Sequence, residues 1–337
     1  MHYERLGQSG LEISRLCLGT MMFGDQTGED DAVEIIAAAR DAGINFIDTA
    51  NSYAKGASEE ILGRALKGQR DDWVLATKVG SPLSEAVGEK RLSRKRIMTE
   101  VERSLIRLQT DVIDIYYLHR DDLDIPLEEP VRAMGDLIRQ GKVRYWGFSN
   151  FDGWRIGELV RVADALGVPR PTVSQPLYNA MNRMIEQDHL PACRHYGIGV
   201  VPYSPLARGV LTGKYEVDLP APSDSRAGRK DARILESEFR SESLKLAQDI
   251  KAYAKARGIT AGQFALSWVL NNSLISAVVL GPRTMGHWQE YLITLDYKFT
   301  AEDETFIDEL VAPGFSSTPF FGDVKLPPKG RIARTRV

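Results

Sequence analysis

The 337-residue chain exceeds one average domain, and 43% hydrophobic with 26% charged residues gives it a sizeable core under an ordinary water-facing surface. Forty-three basic against forty-six acidic residues leave a net charge of −3, so no broad positive field is present and nucleic acid is not an expected partner. Cys17 and Cys193 stand apart in apolar settings, which supports neither a disulfide framework nor a zinc site, and the expected compartment is the cytoplasm.

Residues 1–14 place Gly7-Gln8-Ser9-Gly10 between two short polar–apolar runs, which predicts a β-hairpin. Beyond it, short β-rich runs alternate with stretches of helical period. Arg15–Gly19 precedes a helix over Asp31–Ala42, Asn45–Asp48 precedes Ser58–Leu66, Trp73–Lys78 precedes Ser93–Leu108, and Val112–His119 precedes Leu127–Gln140. Val143–Ser149 leads to Gly153–Leu166, and Thr172–Pro176 to Met184–Tyr196. Gly199–Tyr203 leads to the pair Ser241–Arg257 and Ala261–Leu270, and Ala277–Leu280 to Met285–Thr294. Gly43, Gly141 and Gly197 stand where a helix should stop and a strand begin. Eight strand–helix units predict an α/β fold, a (β/α)8 TIM barrel spanning 1–337 as one domain. Residues 206–240 read as a long loop after the seventh strand, poor in apolar content and so a mobile cover. Ala301–Leu310, capped by Thr300, adds a helix before an irregular tail over 313–337.

The rival architecture, a doubly wound sheet, needs a G-x-G-x-x-G turn. Its one near miss, Gly197-Ile198-Gly199-Val200-Val201-Pro202, has Pro at the third position, and the strand follows the glycines. The apolar stretch Trp268 to Pro282, broken by Asn271, Asn272, Ser273, Ser276 and Gly281, is too short for a membrane span, and Met1 to Arg5 lack the layout of a secretory signal.

In such barrels the chemistry sits at the C-terminal ends of the strands. Those ends bring Asp48, Tyr53, Lys78 and His119 to one rim from three adjacent strands. Each has an ordinary reading alone: a loop cap, a half-buried ring, a strand-end charge, a satisfied interior histidine. Together they suit proton delivery to a carbonyl oxygen during reduction, because a buried Lys78 needs Asp48 as counter-ion and its charge lowers the phenol pKa of Tyr53. Metal catalysis is not expected. His2, His119, His189, His195 and His287 form no H-x-H and no H-E-x-x-H pair.

Asp48-x4-Tyr53, Lys78 and His119, in this order, resemble the catalytic tetrad of the aldo-keto reductases, barrel enzymes that use NADPH without a Rossmann domain. The likeness extends to Leu6-Gly7-x-Ser9-Gly10-Leu11, Leu18-Gly19-Thr20-Met21, Phe46-Ile47-Asp48-Thr49-Ala50-x-x-Tyr53, Gly141-Lys142-Val143-Arg144-x-x-Gly147-x-Ser149-Asn150 and the string from Tyr203 to Tyr215. The resemblance implies Tyr53 as general acid, Lys78 and Asp48 as its tuning pair, and His119 as the group orienting a small-molecule carbonyl substrate. It implies that Ser149, Asn150 and Gln175 hold the nicotinamide carboxamide, that Tyr203 stacks on the ring, and that Ser204, Leu206, Arg208, Gly209 and Lys214 belong to a belt over the pyrophosphate. Gly281, Arg283, Thr284 and His287 fall at the 2′-phosphate site and favour NADPH, with NADH a weaker substitute. Gly286, His287 and Tyr291 depart from the usual Glu-Gln and Asn there. Phe23, Arg120 and Phe320 are the expected substrate walls, with Arg120 also expected to pair with Asp121 or Asp122. The resembling potassium-channel β-subunits supply the alternative, a cofactor-binding redox sensor with little turnover.

Overall fold

The computed structural model describes residues 1–81 and 91–319. Strands β1 (Tyr3–Arg5) and β2 (Glu12–Ser14) form the antiparallel hairpin expected of residues 1–14. Eight parallel strands follow: β3 (Leu16–Gly19), β4 (Phe46–Asp48), β5 (Val74–Val79), β6 (Ile113–Leu118), β7 (Val143–Ser149), β8 (Val173–Gln175), β9 (Gly199–Val200) and β10 (Val278–Leu280). They lie side by side in chain order, with β10 against β3. Ser276 N–H donates to Val200 O at 2.9 Å and Val279 N–H to Pro202 O at 3.0 Å, which joins the two remaining edges and closes the sheet. A closed parallel sheet with helices between its strands is the (β/α)8 barrel that the strand–helix alternation predicts.

The period of two along a strand decides what faces the interior. Phe46, Val74, Ala76, Ile115, Tyr117, Val173, Val201 and Ala277 pack together inside the barrel, and Leu6 and Ile13 of the hairpin join them from below. Alternate residues such as Ile47, Leu75, Tyr116 and Leu118 pack outward beneath the helices. The same alternation carries Asp48 after Phe46 and Lys78 after Ala76 onto the inner face, near the end of each strand.

The helices are α1 (Glu29–Asp41), α2 (Ala57–Ala65), α3 (Arg94–Leu108), α4 (Glu128–Arg139), α5 (Gly153–Ala165), α6 (His189–Tyr196), α7 (Ala232–Leu235), α8 (Ser241–Ala256), α9 (Ala261–Asn271), α10 (Met285–Leu292) and α11 (Ala301–Leu310). Thr300 caps α11 as expected, through a reciprocal bond with Asp303. The single helix predicted over Met184–Tyr196 is instead a 3-10 turn, Met184–Glu186, followed by α6. Pro191 accounts for the break: it has no N–H for an i−4 bond, and its ring would strike the carbonyl of Gln187 in a continuous helix.

The segment 206–240 buries more apolar side chains than expected. It holds a 3-10 turn, Ala207–Thr212, and α7, and it buries Leu206, Ala207, Val210, Leu211, Tyr215, Ala227 and Ile234. These residues are spread between Gly, Pro and charged neighbours with no fixed period, so their capacity to anchor the segment is hidden in the sequence. Among the described residues no helix is long and apolar enough to cross a membrane. Phe320 and Phe321 lie outside the described residues.

Candidate active site

Asp48 ends β4 and Lys78 lies one residue before the end of β5, both buried. The Lys78 ammonium bonds the Asp48 carboxylate, donates to Thr49 O at 2.7 Å and reaches the Tyr53 hydroxyl at 3.2 Å. The free carboxylate oxygen of Asp48 accepts from Gln175 Nε2 at 2.9 Å. Burial works against the Lys78 charge, but Asp48 and then Tyr53 outweigh it and hold the ammonium pKa above its ordinary value.

The phenol of Tyr53 differs from expectation. Lys78 does pull its pKa down, yet burial pushes it up more strongly and the Asp48 charge adds to the rise, so the phenol titrates above its usual range. Desolvation of the phenolate outweighs a cation that is itself already shared with a carboxylate.

His119 follows β6, with its N–H bonded to Val79 O at 2.7 Å and its ring edge-on to Tyr53 at 6.1 Å between centroids. Its Nδ1 meets Ser81 Oγ at 2.9 Å. Burial, then Lys78 and Arg120, push its pKa well below the usual imidazole value, so the ring is neutral near pH 7.

A second group of side chains lies beside this one. Asn150, at φ +58°, donates to His119 O at 3.0 Å and to Ser149 Oγ at 2.9 Å, and its oxygen accepts from the Tyr203 hydroxyl at 2.8 Å. Ser149 Oγ donates to Gln175 O at 2.6 Å. Ser149, Asn150, Gln175 and Tyr203 are thus one bonded set joined to the tetrad through His119 and Asp48. Ser204, Ala207, Arg208 and Gly209 all have positive φ, which folds the start of the belt into successive tight turns.

Farther along that segment, cations gather. Lys214 has its pKa lowered by burial and then by Arg283, with Arg226 and Arg229 adding to the effect. Arg226 is lowered by burial and by Arg208, with Asp231 opposing the shift. His287 is lowered by burial, then by Lys214 and Arg283. Asp224 is a weak counterweight: it is 82% exposed at the side chain, its carboxylate stands 3.9 Å from Arg283, and its backbone carbonyl accepts from Arg283 at 3.0 Å. Thr284 caps α10 by accepting from His287 N–H, and Gly281 is exposed just before it.

Residues 15–312 match the Aldo/keto reductase family. This chain belongs to that family. A probable voltage-gated potassium channel subunit beta from Arabidopsis thaliana is 38% identical over 304 residues, covering 88% of this chain and 92% of the relative. Its counterpart from Oryza sativa subsp. japonica is 37% identical over 302 residues, with the same coverage. The uncharacterized oxidoreductase YrpG of Bacillus subtilis is 36% identical over 330 residues, 95% of this chain and 98% of the relative. The protein is therefore an oxidoreductase of a barrel family that generally binds NAD(P)H.

Within this aldo/keto reductase, several expected site residues are buried or already bonded to other groups of the chain. Arg208 is nearly buried and its guanidinium is held by Glu238 and Ser237, so its partner is a carboxylate of the same segment. Phe23 is fully buried in the core, because Thr20 to Thr27 fold back on themselves and turn the ring inward, so it forms no open wall. Asp121 is taken by Arg155 at 3.1 Å and Asp122 caps Asp124 N–H, while Arg120 Nε is buried with no hydrogen-bond partner among the described residues. Gln175 gives its amide nitrogen to Asp48. Sequence reasoning missed Arg226, Arg229 and Asp224, which sit in a stretch without periodicity, and the buried carboxylates Glu59 and Glu100, whose helical spacing reads as a solvated face.

Proposed function

We propose that this protein reduces an aldehyde or ketone to the alcohol with NADPH, and that Tyr53 delivers the proton. The observation that carries this reading is the line of contacts Asp48, Lys78, Tyr53 at the rim of the barrel, with a neutral His119 ring against Tyr53.

The donor set fits a phosphorylated dinucleotide. Lys214, Arg226, Arg229 and Arg283 repel one another against only the exposed Asp224 and the Asp231 carboxylate that faces Arg226, a cost that a phosphate would relieve. Lys214, Arg283, Thr284 and His287 would hold the 2′-phosphate, with Gly281 giving the chain close approach, and NADH has no group there to receive them. Ser204, Leu206 and Gly209 would line the belt, Ser149 and Asn150 would meet the carboxamide, and Tyr203 the nicotinamide ring. Bound NADPH supplies the hydride.

The chain's own residues do the rest. With its pKa raised, Tyr53 is fully protonated at neutral pH and so is a filled proton donor. Lys78, kept charged by Asp48, stabilises the phenolate left after transfer. When Ser81 donates to Nδ1, the single ring N–H of His119 is on Nε2 and is offered to the carbonyl oxygen, which fixes the direction from which the oxygen meets Tyr53.

Tyr53→Phe removes the donor and keeps the ring. We expect kcat for a generic aldehyde to fall by roughly 10²–10⁴ with NADPH affinity nearly unchanged. Wild-type turnover by this variant would refute the assignment. The plant relatives named as potassium channel β-subunits favour one other reading, cofactor binding with little turnover. Steady-state NADPH consumption with aldehyde separates the two.

A further inference from the structure

The turn that carries Tyr53 is held in an unfavourable backbone. Ala54 and Lys55 have φ of 45° and 57°, followed by Gly56 at 103°. Two consecutive residues with side chains in the left-handed region do not keep that shape on local preference alone. Something outside the turn must hold it.

Both flanks of the turn are tied to buried carboxylates. Before it, Asn51 Nδ2 donates to Glu100 Oε2 of α3 at 2.8 Å. After it, Glu59 in the first turn of α2 accepts from Arg107 Nε of α3 at 2.7 Å and from Thr77 Oγ1 at 2.6 Å. Glu59 and Glu100 are completely buried. Thr77 directly precedes Lys78 on β5, so one carboxylate, carried by the helix that follows the tyrosine, is bonded to the neighbour of the lysine. Arg107 packs over the turn as well: a Cβ on Gly56 would stand 3.0 Å from its Cδ.

We propose that Glu59, with Arg107, is a positioning residue of the reductase, setting the separation of the Tyr53 hydroxyl from Lys78 by tying the turn after Tyr53 to strand β5. The proposal rests on Tyr53 as proton donor. Glu59 touches neither tyrosine nor lysine; it acts by fixing both backbones to a common point. A fold-only role predicts lower stability with the chemistry per folded molecule intact. A positioning role predicts a loss in kcat that disappears once the donor is gone, because nothing remains to be aimed.

The test is a double-mutant cycle on full-length protein with NADPH and a generic aldehyde, reading kcat, KM and NADPH Kd. Glu59→Gln should lower kcat by roughly 10- to 100-fold, the scale of an ångström-size misplacement, and leave NADPH Kd within about twofold. In the Tyr53→Phe background the same substitution should cause no further loss. Thr77→Val, which removes one hydrogen bond and spares the ion pair, should lower kcat in the same direction and decides the matter if Glu59→Gln does not fold. Wild-type kcat in both folded variants, or an undiminished loss in the Tyr53→Phe background, would overturn the positioning role while leaving the donor assignment standing. Wild-type turnover by Tyr53→Phe alone would overturn the donor assignment, and the positioning role with it.

Discussion

Removing one charge from the buried pair should cost far more than removing both. The Lys78 side chain is 0% and that of Asp48 2% exposed. In Asp48→Asn the ammonium keeps only neutral acceptors, Thr49 O and the Tyr53 hydroxyl. In Lys78→Met the carboxylate keeps only the Gln175 amide. Stranding either charge should destabilise by about 3–5 kcal/mol. At about 2 °C per kcal/mol for a chain of this size, Tm should fall by roughly 6–10 °C. The double variant strands no charge and should recover most of that loss while remaining inactive. Scanning calorimetry on the three variants measures it. Because the Lys78 pKa is raised in the fold, the pair's contribution is complete below the unfolded lysine value of about 10.4 and fades only as pH climbs through the raised value, so the differences should be flat from about pH 6 to about pH 9. A double variant whose Tm loss equals the sum of the two singles would show that the charges are not energetically coupled, and the account of Lys78 kept charged by Asp48 would fail with it.

Arg283→Leu should weaken NADPH roughly 10- to 150-fold and leave NADH nearly unchanged, read as Kd by fluorescence quenching; parallel losses would mean that Arg283 supports the chain, whose carbonyl at that residue accepts from Thr27. His287 has its pKa depressed by burial and by Lys214 and Arg283, and a phosphate dianion beside it should raise that pKa, so NADPH binding should take up protons and weaken as pH rises through the mildly acidic range. Calorimetry in buffers of different ionisation enthalpy checks this, and zero proton uptake removes His287 from the site. Replacing Arg208 and Glu238 together by Leu should keep Tm near wild type and NADPH Kd within about twofold, since the pair is buried and mutually satisfied. A tenfold loss of affinity would return Arg208 to the phosphate.

The barrel was legible because each element carries its own signal. Val143–Ser149 and Ala301–Leu310 match to the residue, since periodicity and capping are local properties. The gathering of Asp48, Lys78, Tyr53 and His119 was legible from strand ends combined with the barrel's geometry. The charge balance at the site was not. Whether Lys78 or burial governs the Tyr53 phenol depends on how much water reaches the hydroxyl, and whether Arg208 meets a phosphate depends on where Glu238, thirty residues later, returns. Phe23 shows the same limit, because one tight turn from Thr20 to Thr27 decides between wall and core.

The pairing of Leu16 with Val278 sets a timetable for synthesis, because these partners are about 260 residues apart and a ribosome adds roughly 5–20 residues per second. The first barrel strand therefore leaves the ribosome about 13–50 s before its last neighbour. All four tetrad residues are made by His119, yet the sheet that surrounds them is sealed only when β10 emerges. Throughout that interval one side of β3 offers unpaired backbone to any other nascent chain. At four residues, ending in Gly19, β3 gives such a chain little to grip, which restrains misassociation until its own partner arrives.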